Sequence, residues 1–215
     1  MGIRGAIFDL DGTVFNSVET TSSLLSRVLS DFLGRQVPPI EAVRILGKSP
    51  EEIGEHFGLS GEKKALFKKT LPERFLAEIK RFPLFPGTVE TLDLLSKNKV
   101  RIGAVSGAPE RNMRIFLERS GIIGNFLSIK SAEDFPGGKM SGAPFKSACE
   151  ELGVLPEETI CLGDAPIDAI GARRAGCIPL GVLSGSGKKA ELEELAETID
   201  SISELPHYLR RKGFI

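Results

Sequence analysis

The stretch Ile3-Arg4-Gly5-Ala6-Ile7-Phe8-Asp9-Leu10-Asp11-Gly12-Thr13 decides how this chain folds. Its apolar first part fits a strand buried on both faces. It then ends in two carboxylates, two residues apart. In extended backbone such residues face the same way, so Asp9 and Asp11 can address one cluster of substrate atoms. Gly12 lets the chain turn sharply straight afterwards.

Four more apolar runs rich in strand formers follow, at residues 100–105, 126–129, 159–162 and 178–183. Segments of helical period precede them. Val89, Leu92, Leu94 and Leu95 make one stripe, Met113, Ile115, Phe116 and Leu117 the next, and Phe145, Ala148, Cys149 and Leu152 a third. Short strands alternating with helices predict an α/β fold, a doubly wound parallel sheet covered on both faces. Pro109, Pro144 and Pro166 sit where helices should start, and there a missing N–H costs nothing.

One stretch breaks the alternation. Residues 17–81 hold only helical patterns: a stripe of Leu25, Val28, Leu29 and Phe32, a capping box in Ser49-Pro50-Glu51-Glu52, and a stripe of Leu71, Phe75, Leu76 and Ile79. Pro72 should stand at a helix start rather than inside one. Asn16-Ser17 and the proline-bearing run Arg81 to Gly87 bracket the segment. Residues 1–16 and 82–215 are therefore expected to form the core, with residues 17–81 a small all-helical domain inserted after the first strand.

A doubly wound sheet carries its functional residues just beyond the carboxyl ends of its strands. Those positions hold Asp9 and Asp11, then Ser106-Gly107, then a loop with Lys139, then Gly163-Asp164-Ala165-Pro166-Ile167-Asp168. Aspartates held close together repel unless a cation shares them, and an all-oxygen ligand set suits Mg²⁺. An ammonium and a hydroxyl supply positive charge and a donor for a phosphoryl group. By its chemistry alone, the set is a phosphoryl-transfer site.

Composition narrows the classes. With 41% apolar and 27% charged residues the chain is an ordinary globular one. Twenty-eight basic residues against 29 acidic leave a net charge of −1, so nucleic acid is not the expected partner. No apolar run approaches the roughly 18 residues of a membrane span. Asp9 and Asp11 break any signal-peptide pattern at the N-terminus, and a cytoplasmic enzyme is expected. Cys149, Cys161 and Cys177 make neither a zinc pattern nor a disulfide framework, and are expected to be small core residues. His56 and His207 lie in charged helical stretches and should be surface residues, which removes mechanisms that need an imidazole base.

Asp9-Leu10-Asp11-Gly12-Thr13-Val14 resembles the first motif, DxDGT, of the haloacid dehalogenase-like hydrolases. Ser106 matches that family's second motif, and Lys139 its third by spacing to Phe145, Ala148 and Leu152-Gly153-Val154. Gly163-Asp164 with Asp168 matches the fourth. The insert looks like the family's C1 cap on a Rossmann-like core. Leu46-Gly47-Lys48-Ser49-Pro50-Glu51-Glu52 and Phe85-Pro86-Gly87 look most like the phosphoglycolate phosphatase and β-phosphoglucomutase group.

The resemblance implies roles position by position. Asp9 would be the nucleophile that forms an aspartyl-phosphate, and Asp11 the acid and then the base. Asp9, the main-chain carbonyl of Asp11, Asp164 and Asp168 would hold Mg²⁺. Ser106, Gly107 and Lys139 would bind the phosphoryl oxygens. Arg44 and Lys48 of the cap are candidates for the rest of the substrate, and together would suit an anionic metabolite. The chain departs from the family at Lys139-Met140-Ser141-Gly142, where Lys-Pro-x-Pro is usual, at Gly107 in place of Asn and at Ala165 in place of Ser. Lys146 is a second candidate for the functional lysine.

The reading is a Mg²⁺-dependent phosphatase of a small phosphorylated metabolite, a monomer or small homo-oligomer. A phosphomutase is the alternative. A dehalogenase would need neither Asp11 nor Asp164, and a non-catalytic binding protein would be expected to lack a nucleophile or metal ligand. Gly185-Ser186-Gly187-Lys188 fails as a nucleotide loop, because Val182 and Lys189 stand where Gly and Ser/Thr are required, and is expected to be a flexible loop.

Overall fold

The computed structural model describes residues 2–78 and 82–215. Ile79 of the expected helical stripe and Arg81, the expected end of the insert, lie outside the described residues. Six parallel strands form one sheet in the order β3-β2-β1-β4-β5-β6. They are β1 (Gly5–Phe8), β2 (Arg101–Ser106), β3 (Ser128–Ser131), β4 (Thr159–Gly163), β5 (Ile178–Val182) and β6 (Glu197–Ile199). This is the strand order of a Rossmann-like sheet, whose switch point falls where the chain leaves β1 on one side and returns beside it with β4. Ala6 pairs with Ile102 on one flank and with Ile160 on the other, so β1 is central.

Side chains alternate across the strands and build two cores. Ile7, Val105 and Cys161 meet helices α7 (Ala143–Leu152) and α8 (Pro166–Ala175) through Phe145, Ala148 and Ala172. Ala6, Phe8, Ala104 and Leu162 face the other way, into a core shared with α5 (Thr88–Lys97), α6 (Glu110–Arg119) and α10 (Leu205–Arg211). All three cysteines are free and buried, and both histidines are exposed. In the α5 stripe Val89 is exposed, and Thr88 and Thr91 take the inner face instead. A further short helix, α9 (Lys189–Glu193), precedes β6.

Among the described residues, four helices lie between β1 and α5: α1 (Val18–Leu33), α2 (Pro39–Val43), α3 (Pro50–His56) and α4 (Gly61–Glu78). The Ser49 capping box forms as its sequence requires, with Ser49 N–H donating to Glu52 Oε2 at 2.8 Å and Glu52 N–H to Ser49 Oγ at 3.3 Å. Phe67 is fully buried and meets Phe32 edge-on, with ring centroids 5.3 Å apart. The segments entering and leaving the insert pair with each other. Phe15 bridges antiparallel to Leu84, Asn16 N–H donates to the Pro83 carbonyl, and Phe85 N–H donates to the Val14 carbonyl.

Pro72 corrects the sequence expectation: it lies inside α4, not at a helix start. Buried Phe67 and Leu71 anchor the helix just before it, while Lys68, whose carbonyl loses the proline's N–H, is exposed. Tertiary packing here outweighs a local breaker. Strand β3 starts two residues later than expected, leaving Leu127 exposed, and β6 was not anticipated because three residues with one apolar side chain carry no periodicity.

Phe67→Ala should lower the unfolding free energy by about 3–5 kcal/mol, because the ring leaves a cavity that α1, α3 and α4 cannot close. Urea denaturation followed by circular dichroism measures this. A loss below about 1 kcal/mol would mean that the insert repacks freely.

Candidate active site

Strands β1 and β4 lie side by side, and the residues just past their ends meet at the switch point. Asp9 follows β1 and is 2% exposed, and Asp164 follows β4 at 4%. Asp168 sits in the first turn of α8, which brings it back under the β4 end, and it accepts a hydrogen bond from Ala165 N–H at 3.2 Å. Lys139 reaches the same point from a short 3₁₀ turn, Lys139–Ser141, and is 2% exposed. Its Nζ lies 2.7 Å from Asp9 Oδ1 and 2.7 Å from Asp168 Oδ1. Lys146, the other candidate, is exposed on α7.

The turn after β1 is tight. Val14 and Phe15 N–H both donate to the Leu10 carbonyl, and Gly12 N–H to that of Phe15. Gly12 holds φ at 77°, and a β-carbon there would stand 2.6 Å from Asp164 Oδ2. Both the backbone angle and the crowding require glycine. Asp11 then accepts a hydrogen bond from Ser17 Oγ at 2.6 Å. Ser106, at the end of β2, is 2% exposed and accepts from Ala108 N–H at 3.2 Å.

The electrostatics follow from burying Asp9, Asp164 and Asp168, with Asp11 partly buried nearby, around one ammonium that contacts Asp9 and Asp168. Burial pushes Asp9 up to about 7, with Lys139 pulling the other way and Asp164 adding to the rise. Burial likewise raises Asp164 to about 6, helped by the charge of Asp168, and Asp168 to about 6 against the pull of Lys139. Asp11 is raised by burial against its hydrogen bond from Ser17. Burial disfavours the Lys139 ammonium, but Asp168 and Asp9 outweigh it and raise its pKa.

This donor set fits a cation. One oxygen from each of Asp9, Asp164 and Asp168 lies within 4.8 Å of the other two, and all three residues are buried. Lys139 approaches Asp9 Oδ1 as an ion pair without hydrogen-bond geometry, so that buried oxygen has no hydrogen-bond donor. Three carboxylate oxygens with nothing softer among them could hold a hard divalent ion.

Of the remaining candidates, Gly107 and Lys48 line a cavity between the insert and the core, together with Asp11 and Ser106. Arg44 does not join them. It is exposed at the end of α2, outside the cavity lining, so the expected cationic pair with Lys48 does not form. The loop after β5 also departs from expectation. Ser186 N–H donates to Asp164 Oδ2 at 2.6 Å, Ser186 Oγ to the same oxygen at 3.0 Å, and Ser184 Oγ to the Gly12 carbonyl at 2.9 Å. The loop is thus tied to the site, and Ser186 is a site residue that the sequence reading passed over. Its place past a strand's carboxyl end was the available signal.

The model of the haloacid dehalogenase-like hydrolases matches residues 6–182, a span that includes every one of these side chains except the serines of the last loop. The chain belongs to that family. It is therefore an enzyme, a haloacid dehalogenase-like hydrolase. It is 27% identical over 214 residues to a phosphoglycolate phosphatase of Chromobacterium violaceum, covering 94% of this chain and 95% of that protein. It is 28% identical over 217 residues to a glyceraldehyde 3-phosphate phosphatase of Methanocaldococcus jannaschii, with 94% and 95% covered. The crystal structure of a β-phosphoglucomutase from Clostridium difficile superposes with a TM-score of 0.83 at 22% identity, over 98% of this chain and 96% of that one. That last likeness shows the fold. No helix among the described residues of this hydrolase is long and apolar enough to cross a membrane.

The raised carboxyls set a pH dependence. A carboxyl that folding raises stabilises the folded state at low pH, and that stability is lost as pH rises through the folded pKa. In cation-free protein the melting temperature should therefore fall by several degrees as pH rises through about 6 to 7. Millimolar Mg²⁺ should restore it above pH 7. Thermal scans after chelation and dialysis test both, and a melting temperature indifferent to pH and to Mg²⁺ would count against a shared cation.

Proposed function

We propose that this enzyme is a Mg²⁺-dependent phosphatase of a small phosphomonoester, with Asp9 as nucleophile and an aspartyl-phosphate as intermediate. The observation that carries the reading is the Lys139 ammonium 2.7 Å from Asp9, beside Asp164 and Asp168 at the switch point. Lys139 holds one Asp9 oxygen in place and adds positive charge where the phosphoryl oxygens would arrive. The phosphatase names of the curated relatives agree with it.

Asp9, Asp164 and the main-chain carbonyl of Asp11 would hold the metal, with Asp168 adjacent. Bound Mg²⁺ would offset the repulsion between these carboxylates and an incoming phosphoryl group. A carboxylate oxygen of Asp9 forms the bond to phosphorus as the bond to the ester oxygen breaks. Asp11 gives its proton to the departing oxygen. Burial favours the protonated carboxyl needed for that step, and Ser17 occupies one of its oxygens, so proton transfer falls to the other. A water then attacks phosphorus, Asp11 takes its proton, and phosphate leaves with the Asp9 carboxylate restored. Ser106 Oγ accepts from Ala108 N–H, which leaves its own proton to donate to a phosphoryl oxygen. The insert would act as a cap over this site.

Asp9→Asn should lower phosphate release by about 10⁴-fold or more and abolish covalent phosphate on the protein. Asp11→Asn should cost about 10²–10⁴-fold in turnover. Phosphate release from a panel of small phosphomonoesters, with and without Mg²⁺, is the assay. An Asp9→Asn variant that kept most of its activity would show the nucleophile to be another group.

A further inference from the structure

The cavity between the insert and the core, just past Asp11 and Ser106, is almost wholly hydrocarbon. Leu25, Ile53, Leu71 and Phe75 come to it from the insert, and Met113 and Phe116 from α6. Among the described residues Lys48 is the only basic one in its lining, and its backbone stands at one end. A β-carbon on Gly107 would lie 3.0 Å from the Lys48 carbonyl carbon, so the Lys48 backbone packs beside the residue that follows Ser106. Of the other polar side chains, Asp11 and Ser106 belong to the phosphoryl end. Asn112 commits its amide to the Pro72 carbonyl at 3.1 Å. Thr21 is left, buried at 7% exposure with a hydroxyl that has no hydrogen-bond partner.

We propose that the phosphomonoester this site takes carries a compact hydrocarbon leaving group, rather than a carboxylate or a polyol. The proposal rests on the phosphatase reading above. A carboxylate placed among these apolar walls would be desolvated: among the described residues the one basic group of the lining, Lys48, has its backbone beside the residue that follows Ser106, at the phosphoryl end, and Arg44 lies on the surface. A sugar would bring several hydroxyls to a surface that, among the described residues, offers Thr21 as its one uncommitted uncharged side chain, and each unmatched hydroxyl costs. An aliphatic group loses nothing polar and gains contact with six apolar side chains. Size limits it further. The cavity holds ≈ 90 Å³. An enclosed cavity of about 150 Å³ takes a benzene ring, so a compact branched chain of about four carbons suits this smaller space.

The test compares kcat/KM for isobutyl phosphate, phosphoglycolate, glyceraldehyde 3-phosphate and glucose 6-phosphate with Mg²⁺ present, in the full chain and in Thr21→Val. Isobutyl phosphate should exceed each of the other three by about tenfold or more, the discrimination a hydrocarbon pocket provides. Thr21→Val, which turns that orphan hydroxyl of the lining into hydrocarbon, should raise the isobutyl phosphate value relative to the other three. Phosphoglycolate or a sugar phosphate turned over as well as isobutyl phosphate would overturn the proposal while leaving the phosphatase reading intact. So would a Thr21→Val loss of tenfold or more on isobutyl phosphate at unchanged stability, because the hydroxyl would then serve the substrate. Hydrolysis of none of the four, with no covalent phosphate on Asp9, would instead remove the phosphatase reading on which the proposal stands.

Discussion

Lys139 is the residue on which the site's arrangement depends. A fully buried ammonium is costly unless it is paired, and this one has Asp9 and Asp168 each at 2.7 Å. It holds together the end of β1 and the first turn of α8, two elements that the chain visits far apart. The 3₁₀ turn that carries it packs on α8: a β-carbon on Gly171 would collide with the Lys139 carbonyl, so the helix can lie this close only because that position has none. Removing the charge would leave carboxylates facing one another in a buried site, and with no cation present only protonation could relieve them.

The remaining geometry follows from crowding around that ion pair. Asp164 is fixed by Ser186 on one side and pressed by Gly12 on the other. The sharp turn at Gly12 sends the chain away from the sheet, where Phe15 and Leu84 bridge the two strands of the connection to the insert. Phe82 packs between Phe15 and Phe116, with centroids 5.8 and 4.8 Å away, so the connection is anchored in the core rather than strung across solvent. The insert then returns to the site through Gly47, whose carbonyl oxygen would be 2.5 Å from a β-carbon on Gly107. Gly107 is where the family usually has Asn. Its lack of a side chain is what allows the 47–48 loop to rest directly on the loop after β2.

The sheet was legible because its strands are nearly uninterrupted apolar runs, and buried parallel strands must be. The chemistry was legible for a related reason. Asp9, Ser106 and Asp164 each stand one position past, or at, the end of such a run, so finding the strands found the residues. What failed were features set by partners distant in sequence. Pro72 sits mid-helix because Phe67 and Leu71 are held by other helices, and no local pattern reports that. Arg44 and Lys48 lie four residues apart, yet one faces water and the other the cavity, because α2 has already ended at Val43 and helical spacing no longer puts them on one face. Ser186 was passed over because the residues around it resembled a failed nucleotide loop, while its role comes from Asp164, 22 residues earlier.

Two kinds of constraint thus act on two sets of residues. The carboxylates and Lys139 lie on the sheet rim, where changing any one alters the charge balance of all the others. Most of the cavity's apolar walls come from α1, α3, α4 and α6, with Asp11 and Ser106 at the end that meets the rim. Hydrocarbon walls can change shape at a cost of about 1–3 kcal/mol for each altered side chain, while Asp9, Asp168 and Lys139 keep their ion pairs. The same chemistry can therefore persist while the leaving group changes. Relatives of one family that carry different phosphatase names are what that separation permits.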